Sequence, residues 1–413
     1  MNWDESKLGD VAKVISGYAF KSKDFSKNKG IPVIKIKNIQ KEKVEISDEY
    51  FLDESFLSIN SKFHCVKDDV LISLTGSHIT LPNSVVGRVA KYHYDFTSLL
   101  NQRGGKIVVT DENKLVNNYL YYYLCQHEVR TTLALFGRGG ANQVNISPSN
   151  VESIKIDLPP LQTQKRIADI LSTYDDLIEN NLKRIKLLEQ AAQNIYKEWF
   201  VNLRFPGHEN TPINEETGLP VGWKIGVISD FGKVVTGKTP STKRSDFYGG
   251  HIPFIKTPDM HGLPYVVETN NNLTELGSQA QLNKNLPANS VLVSCIGTAG
   301  VVAMTSKISQ TNQQINSVVF DSTFKCYYFY CFAKKLKPLL EGLGSNGATM
   351  INVNKGKFEN VDLNIPNESL LVDYAKIAEP MFKQMLTLSV QNQKLNAARD
   401  ILLPRLMNRT IDV

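Results

Sequence analysis

The chain has no Cys-x-x-Cys pair. Its five cysteines, Cys65, Cys125, Cys295, Cys326 and Cys331, are scattered and odd in number, which excludes a disulfide framework and points to core thiols in a reducing compartment. No apolar run approaches the roughly 18 residues that a membrane-spanning helix needs. The opening Met1-Asn2-Trp3-Asp4-Glu5 reads as neither a signal nor a transit peptide, so a cytoplasmic protein with no membrane partner is expected. Also missing is the N-P-P-[YFW] or D-P-P-[YFW] segment for amino methylation of a base. His64-Cys65, His251 with His261, and Cys326 with Cys331 lack the paired spacing of a zinc centre, so no metal is expected. The acidic pairs Asp68-Asp69 and Asp175-Asp176 read as a solvated turn and as the outer face of a helix. Net charge is only +6, which permits a nucleic-acid partner without selecting one.

What is present is a seam. From Leu161 onward, apolar residues alternate at three and four: Ile167, Leu171, Tyr174, Ile178, Asn181, Ile185, Leu188, Ala192, Ile195 and Trp199. This is the spacing of a coiled coil. About 207 residues later a second seam follows, with Met381, Met385, Leu388, Asn392, Leu395, Leu402 and Leu406. Asn181 and Asn392 interrupt the apolar face, and buried polar residues of this kind fix register at a cost in stability. Pro380 is expected to kink or break the second helix, which leaves a seam from Met381 to Leu403. Arg399 also falls on it.

The segments before each seam repeat as well. Trp3 to Gly17 matches Trp223 to Gly237, Ile31-Pro32-Val33-Ile34-Lys35 matches Ile252-Pro253-Phe254-Ile255-Lys256, and Val70 to Gly76 matches Val291 to Gly297. The offset drifts from about 221 to about 207, as loop insertions produce. Two copies are too few for a solenoid, so each must hold its own core. Strands are expected at Ala12–Ile15, Pro32–Ile36, Val70–Leu74, Val85–Val89, Lys106–Val109 and Ser153–Leu158, with a helix at Asn117–Leu135. The second copy repeats them at Lys233–Val235, Pro253–Ile255, Ser290–Ser294 and Asn316–Phe320, then a helix at Phe324–Leu340. Strands in runs followed by helices give an α+β class. Tyr119, Tyr121, Tyr122 and Tyr123, like Tyr327, Phe329 and Tyr330, have the spacing of core residues more than of base-stacking platforms.

Basic residues crowd both copies: Lys7, Lys13, Lys21, Lys23, Lys27, Lys29, Lys35, Lys37, Lys41 and Lys43 in one, and Lys233, Lys238, Lys243, Arg244 and Lys256 in the other. Recurrence raises the reading of a face that follows a phosphate backbone beside that of a solvated surface. One motif is a decoy. Gly232 to Thr239 fits G-x-x-x-x-G-K-[ST] letter for letter, yet Val234-Val235 sits inside the supposed loop and Pro240 follows where a helix must open. Nucleotide binding through Lys238 is therefore the minor alternative.

Leu158-Pro159-Pro160-Leu161-Gln162-Thr163-Gln164-Lys165-Arg166-Ile167-Ala168, the closing Leu402-Leu403-Pro404-Arg405-Leu406-Met407, and Thr236-Gly237-Lys238-Thr239-Pro240-Ser241 resemble segments of the specificity subunits of type I restriction-modification systems. The chain departs from that pattern at Arg409, where the family often has Gly, and at Pro366-Asn367. The resemblance implies two similar globular target-recognition domains, 1–157 and 208–365, separated by two long helices, 158–207 and 366–413, that form an antiparallel coiled coil. Each domain would read one half of a split double-stranded DNA target. The helices would act as ruler and as dock for methylase subunits, two of them, joined by two restriction/translocase subunits. The chain would be non-catalytic and hold no cofactor, with S-adenosylmethionine, ATP and Mg in the partners; a specificity protein of a different restriction-modification assembly is the near alternative. As helix, residues 167–199 span roughly 48 Å, comparable with the ~34 Å between successive major-groove half-sites. Candidate DNA contacts are Lys21, Lys23, Arg103, Arg138, Asn142 and Gln143 in the first domain. In the second they are Lys238, Thr239, Lys243, Arg244, Gln313, Gln314 and Asn346.

Overall fold

The computed structural model describes all residues except 1–2, 28, 41, 47–48, 79, 82–83, 141–142 and 346–350. The chain forms two compact units, Met1–Asp175 with Ala398–Val413, and Asp176–Ala397.

In the first unit a five-stranded sheet runs in the order Ala12–Ser16, Gly104–Val109, Val70–Ser73, Val89–Lys91, Glu42–Lys43. The central strand is buried on both sides because its alternation feeds two cores. Val70 and Ile72 point into one cluster with Leu8, Tyr119 and Leu120, while Leu71 points into another with Ile34, Ile39 and Tyr92. The second unit repeats the device: Val291 and Val293 join one core, Leu292 the other. Its sheet order is Lys233–Thr236, Ile315–Val319, Val291–Ser294, Val302–Thr305, Tyr265–Val266. Each globular part is tied off by a two-stranded pairing, Asp4–Lys7 with Lys155–Leu158 and Lys224–Val227 with Asp362–Ile365.

Several expectations are corrected. The strand expected at Val85–Val89 begins only at Val89, because Gly87 takes a left-handed φ of 66° and turns the chain. The two expected helices each split, into Asn117–Cys125 with His127–Leu135 and Phe324–Ala333 with Lys337–Gly344. Gln126 is extended between the first two, and Pro338 opens the last. Asp69 is no solvated turn: it accepts from Val66 N and pairs with buried Lys106 at 3.3 Å. Burial, the largest cause, raises its pKa, while the bond from Val66 and the charge of Lys106 hold it back.

The tyrosines are core, and the hydroxyls of Tyr119, Tyr122 and Tyr330 find acceptors there. Tyr119 donates to Asp157 O at 2.9 Å, Tyr122 to Asp175 Oδ2 at 2.6 Å and Tyr330 to Glu189 Oε1 at 2.6 Å. All the cysteines are free thiols, and burial pushes Cys295 up to about 11 and Cys331 up to about 12.

The first long helix is Leu161–Tyr196, closed by a wider π turn at Lys197–Val201. Gln164 explains part of the motif that opens it: fully buried, it accepts from Val116 N at 2.9 Å and donates to Lys114 O and Pro159 O. The second long helix runs unbroken from Glu368 to Met407, so Pro380 neither ends it nor delays its seam. A proline inside a helix costs about 3 kcal/mol. Tyr374, Ala378, Phe382 and Met385 around it are buried, and full burial of each large one returns roughly 1.5–3 kcal/mol. Tertiary packing thus overrides the local rule. Asn367 caps the helix by accepting from Leu370 N at 2.9 Å, the solution this copy uses in place of Pro-Pro.

The two helices pair antiparallel. In the second unit Tyr374 donates to Ala192 O, and Asn181 Nδ2 donates to Asn392 Oδ1 at 2.9 Å. In the first unit Arg399 meets Asp175 at 2.6 Å. None of the seam residues Ile167, Leu171, Tyr174, Ile178, Asn181, Ile185, Leu188, Ile195, Met385, Leu388, Asn392, Leu395 and Leu402 is exposed. Asp175 was expected on the outer face; it lies inward, between Tyr122 and Arg399.

Candidate nucleic-acid interface

Most of the described candidate side chains gather on loops held by backbone bonds. In the first unit Gly17 N donates to Gly104 O and Tyr18 N to Leu100 O, which presses the loop after strand Ala12–Ser16 against the turn Asn101–Gly104. A Cβ on Gly17 would stand 2.3 Å from Asn101 O, so only glycine permits the approach. Arg103 is exposed on that turn, and its carbonyl accepts from Leu74 N. Leu74 O in turn accepts from Ile146 N, which brings the strand Gln143–Asn145 alongside. Gln143 is exposed there, and Thr75 Oγ1 donates to its neighbour Asn145 at 2.9 Å. Lys21 and Lys23 are exposed at the short turn Ser22–Asp24. Arg138 contributes backbone to the strand Arg138–Gly140. Asn142 and Asn346 lie outside the described residues.

In the second unit Lys238, Thr239, Gln313 and Gln314 come together. Lys238 N donates to Thr311 O at 2.9 Å, Thr239 Oγ1 to Gln313 Oε1 at 2.7 Å, and Asn312 Nδ2 to Gln314 Oε1 at 2.9 Å. Lys243 and Arg244 follow on the same loop and are exposed. Arg244 is already engaged, since Asp246 takes both its Nε and Nη2 at 2.8 and 2.6 Å and Phe247 lies under its plane. The supposed phosphate loop is a β-strand, Lys233–Thr236, paired in register with Val319 to Asn316.

The lysine-rich stretch is only partly available. Lys35 lies 3.2 Å from the Tyr50 ring centroid and is held below the usual lysine range by burial and then by Lys37. Lys37 pairs with Glu49, and Lys43 with Glu45 at 2.7 Å. Lys41 lies outside the described residues.

Sequence reasoning missed three features. Tyr18 is 42% exposed, its carbonyl accepting from Gln102 N and its ring packed edge-on to Phe63; only its place in the repeat, opposite Lys238, could have flagged it. Arg88 and Arg130 both donate to Ser84 O, at 3.1 and 2.7 Å, a meeting of distant residues that leaves no pattern. Behind the Lys238 loop, Gln281 Nε2 donates to Lys238 O at 2.7 Å and to Gln310 Oε1, while Gln310 Nε2 reaches Asn285 Oδ1 and Ser278 O. Gln310 is fully buried. Replacing it by leucine strands these partners and should lower stability by about 1–3 kcal/mol, read as a shift of the urea midpoint; an unchanged midpoint would show that the network does not hold the loop.

Among the described residues no group of His, Cys, Asp or Glu could hold a metal ion, and no helix is long and apolar enough to cross a membrane. One α+β unit written twice, each copy presenting amides and cations on glycine-braced loops and ending in a long helix, defines a two-headed recognition protein. A family model described as the type I restriction modification DNA specificity domain matches residues 1–190 and again 220–396. The chain belongs to that family and carries two copies of its domain. It is 28% identical to the HindI type I restriction enzyme specificity subunit of Haemophilus influenzae, over 99% of this chain and 100% of that one. The MjaIX specificity subunit of Methanocaldococcus jannaschii is 26% identical over 98% and 93%. Among solved structures, the S subunit of a type I restriction-modification system from M. genitalium shares the fold, with a TM-score of 0.58 over 98% of this chain and 96% of that one at 14% identity.

Proposed function

We propose that this chain is the specificity subunit of a type I restriction-modification complex and reads a bipartite double-stranded DNA target, one domain per half-site. The observation that carries the reading is the second copy of the DNA specificity domain within one chain, each copy with its own core and its own braced loops. The long helices then serve as spacer and as dock for methylase subunits. Methyl transfer from S-adenosylmethionine and ATP- and Mg-dependent translocation belong to partner subunits, two of each kind, in the cytoplasm. Lys238 acts on DNA, because the strand that precedes it offers no cradle of amides for a nucleotide.

The experiment is a domain exchange. Reconstituted with its methylase subunit, the chain should direct methylation to one bipartite sequence, and replacing residues 1–157 by a homologous domain should change one half of that sequence alone. Methyl transfer or ATP hydrolysis by the purified chain, or altered recognition at both halves, would sink the reading.

A further inference from the structure

The two recognition loops share one backbone frame and differ at its tips. Gly17 N to Gly104 O, Tyr18 N to Leu100 O, Asn101 N to Ile34 O, Gly104 N to Asn101 O and Leu74 N to Arg103 O form the frame of the first domain. Gly237 N to Ile315 O, Lys238 N to Thr311 O, Asn312 N to Ile255 O, Ile315 N to Asn312 O and Cys295 N to Gln314 O form the second. These five bonds correspond one for one, and Gln102 N to Tyr18 O is added in the first domain. Both glycines are forced, since a Cβ on Gly237 would stand 2.2 Å from Asn312 O, and one on Gly17 2.3 Å from Asn101 O.

The frame thus superposes Asn101 on Asn312, Gln102 on Gln313, Arg103 on Gln314 and Tyr18 on Lys238. Identical side chains on an identical frame do the same work in both domains, so they do not distinguish one half-site from the other. The differing ones do. Arg103 is exposed and meets no carboxylate among the described residues. Its five donors in a planar fork match the O6 and N7 acceptors of guanine. At the same place Gln314 offers an amide whose Oε1 is oriented by Asn312, which leaves the donor and the second lone pair that adenine N7 and N6 require.

We infer that Arg103 and Gln314 are equivalent specificity-determining residues, Arg103 selecting guanine in one half-site and Gln314 selecting adenine in the other. This rests on the specificity-subunit reading and adds to it the position and the base. Neither side chain contributes to a core, so the substitutions leave the fold intact, which a melting curve checks.

The test maps methylated sites in a random DNA library with the reconstituted complex, for the parent chain, Arg103→Gln and Gln314→Arg. Arg103→Gln should lower use of guanine-bearing sites on the order of ten- to a hundredfold at one base pair of one half-site, and Gln314→Arg should shift one base pair of the other half toward guanine. Unchanged base preference in both variants overturns the inference. So does a uniform fall over all sequences with a shallower salt dependence, which would put Arg103 on a phosphate. If the parent chain itself directs methylation to no bipartite sequence, the subunit reading fails, and the inference with it.

Discussion

Deleting Ile178–Arg184 together with Ser389–Leu395 should leave a folded protein that recognises the same two half-sites with one to three fewer base pairs between them. The two segments face each other, because Asn181 at the centre of one is bonded to Asn392 at the centre of the other. Removing both asparagines at once leaves neither buried amide without its partner. A heptad returns the apolar face to within about 20° of its former direction. The pair shortens by roughly 10 Å at 1.5 Å per residue, equivalent to about three base pairs if helices and DNA run parallel, and to fewer if they are inclined. Methylation mapping reads the spacer directly. Retention of the original spacer at full efficiency would reduce the coiled coil to a docking element.

Loss of Arg399 should be among the most damaging single changes in the first unit. Its side chain is 7% exposed and pairs with Asp175 at 2.6 Å, whose other oxygen accepts from Tyr122. Arg399→Ala leaves that carboxylate facing a half-dry cavity. Breaking a buried pair typically costs about 3–5 kcal/mol, and because Asp175 is 29% exposed the expected loss is near 3. The repeat supplies its own control. By the offset of about 207, Tyr122, Asp175 and Arg399 correspond to Phe329, Phe382 and Ala192, all fully buried and apolar in the second unit. The triple variant Tyr122→Phe, Asp175→Phe, Arg399→Ala copies that solution and should recover all but about 1 kcal/mol, since apolar replacement of a buried ion cluster is often neutral. Urea unfolding measures both. Equal loss in the single and triple variants would mean that packing, and not charge pairing, dominates there.

The parts of this architecture legible in the sequence were those written in periodic form. The seams, the strand Val70–Ser73 with its counterpart Val291–Ser294, and the core tyrosines all follow from spacing, because burial imposes a period on local sequence. What escaped depends on partners far along the chain. Asp69 and Asp175 looked solvated because an acidic pair shows nothing of a lysine or arginine that folding brings to it. Pro380 carries a local penalty in the sequence, while the aromatic packing that offsets it exists only in the fold. At the interface, residue type pointed to Arg103, Gln313 and Gln314. The backbone frame alone puts Arg103 and Gln314 at one position, and side-chain contacts far from any local pattern engage Lys35, Lys37 and Arg244 within the protein.

The asparagine bridge also bears on truncated chains. Two nearly repeated helices in one molecule could find the wrong mate, with a first half joining a second copy of itself. In the register fixed by Asn181 and Asn392, the layer related by the repeat is Ile185 with Leu388, at 2% and 3% exposure. A pair of first halves would set each Asn181 against an Ile185, and a pair of second halves each Asn392 against a Leu388. Either mispairing buries two amides without partners, at about 1–3 kcal/mol apiece. A fragment released by proteolysis or premature termination is thereby biased toward its complementary half, and the odds of an assembly with two identical reading heads fall accordingly.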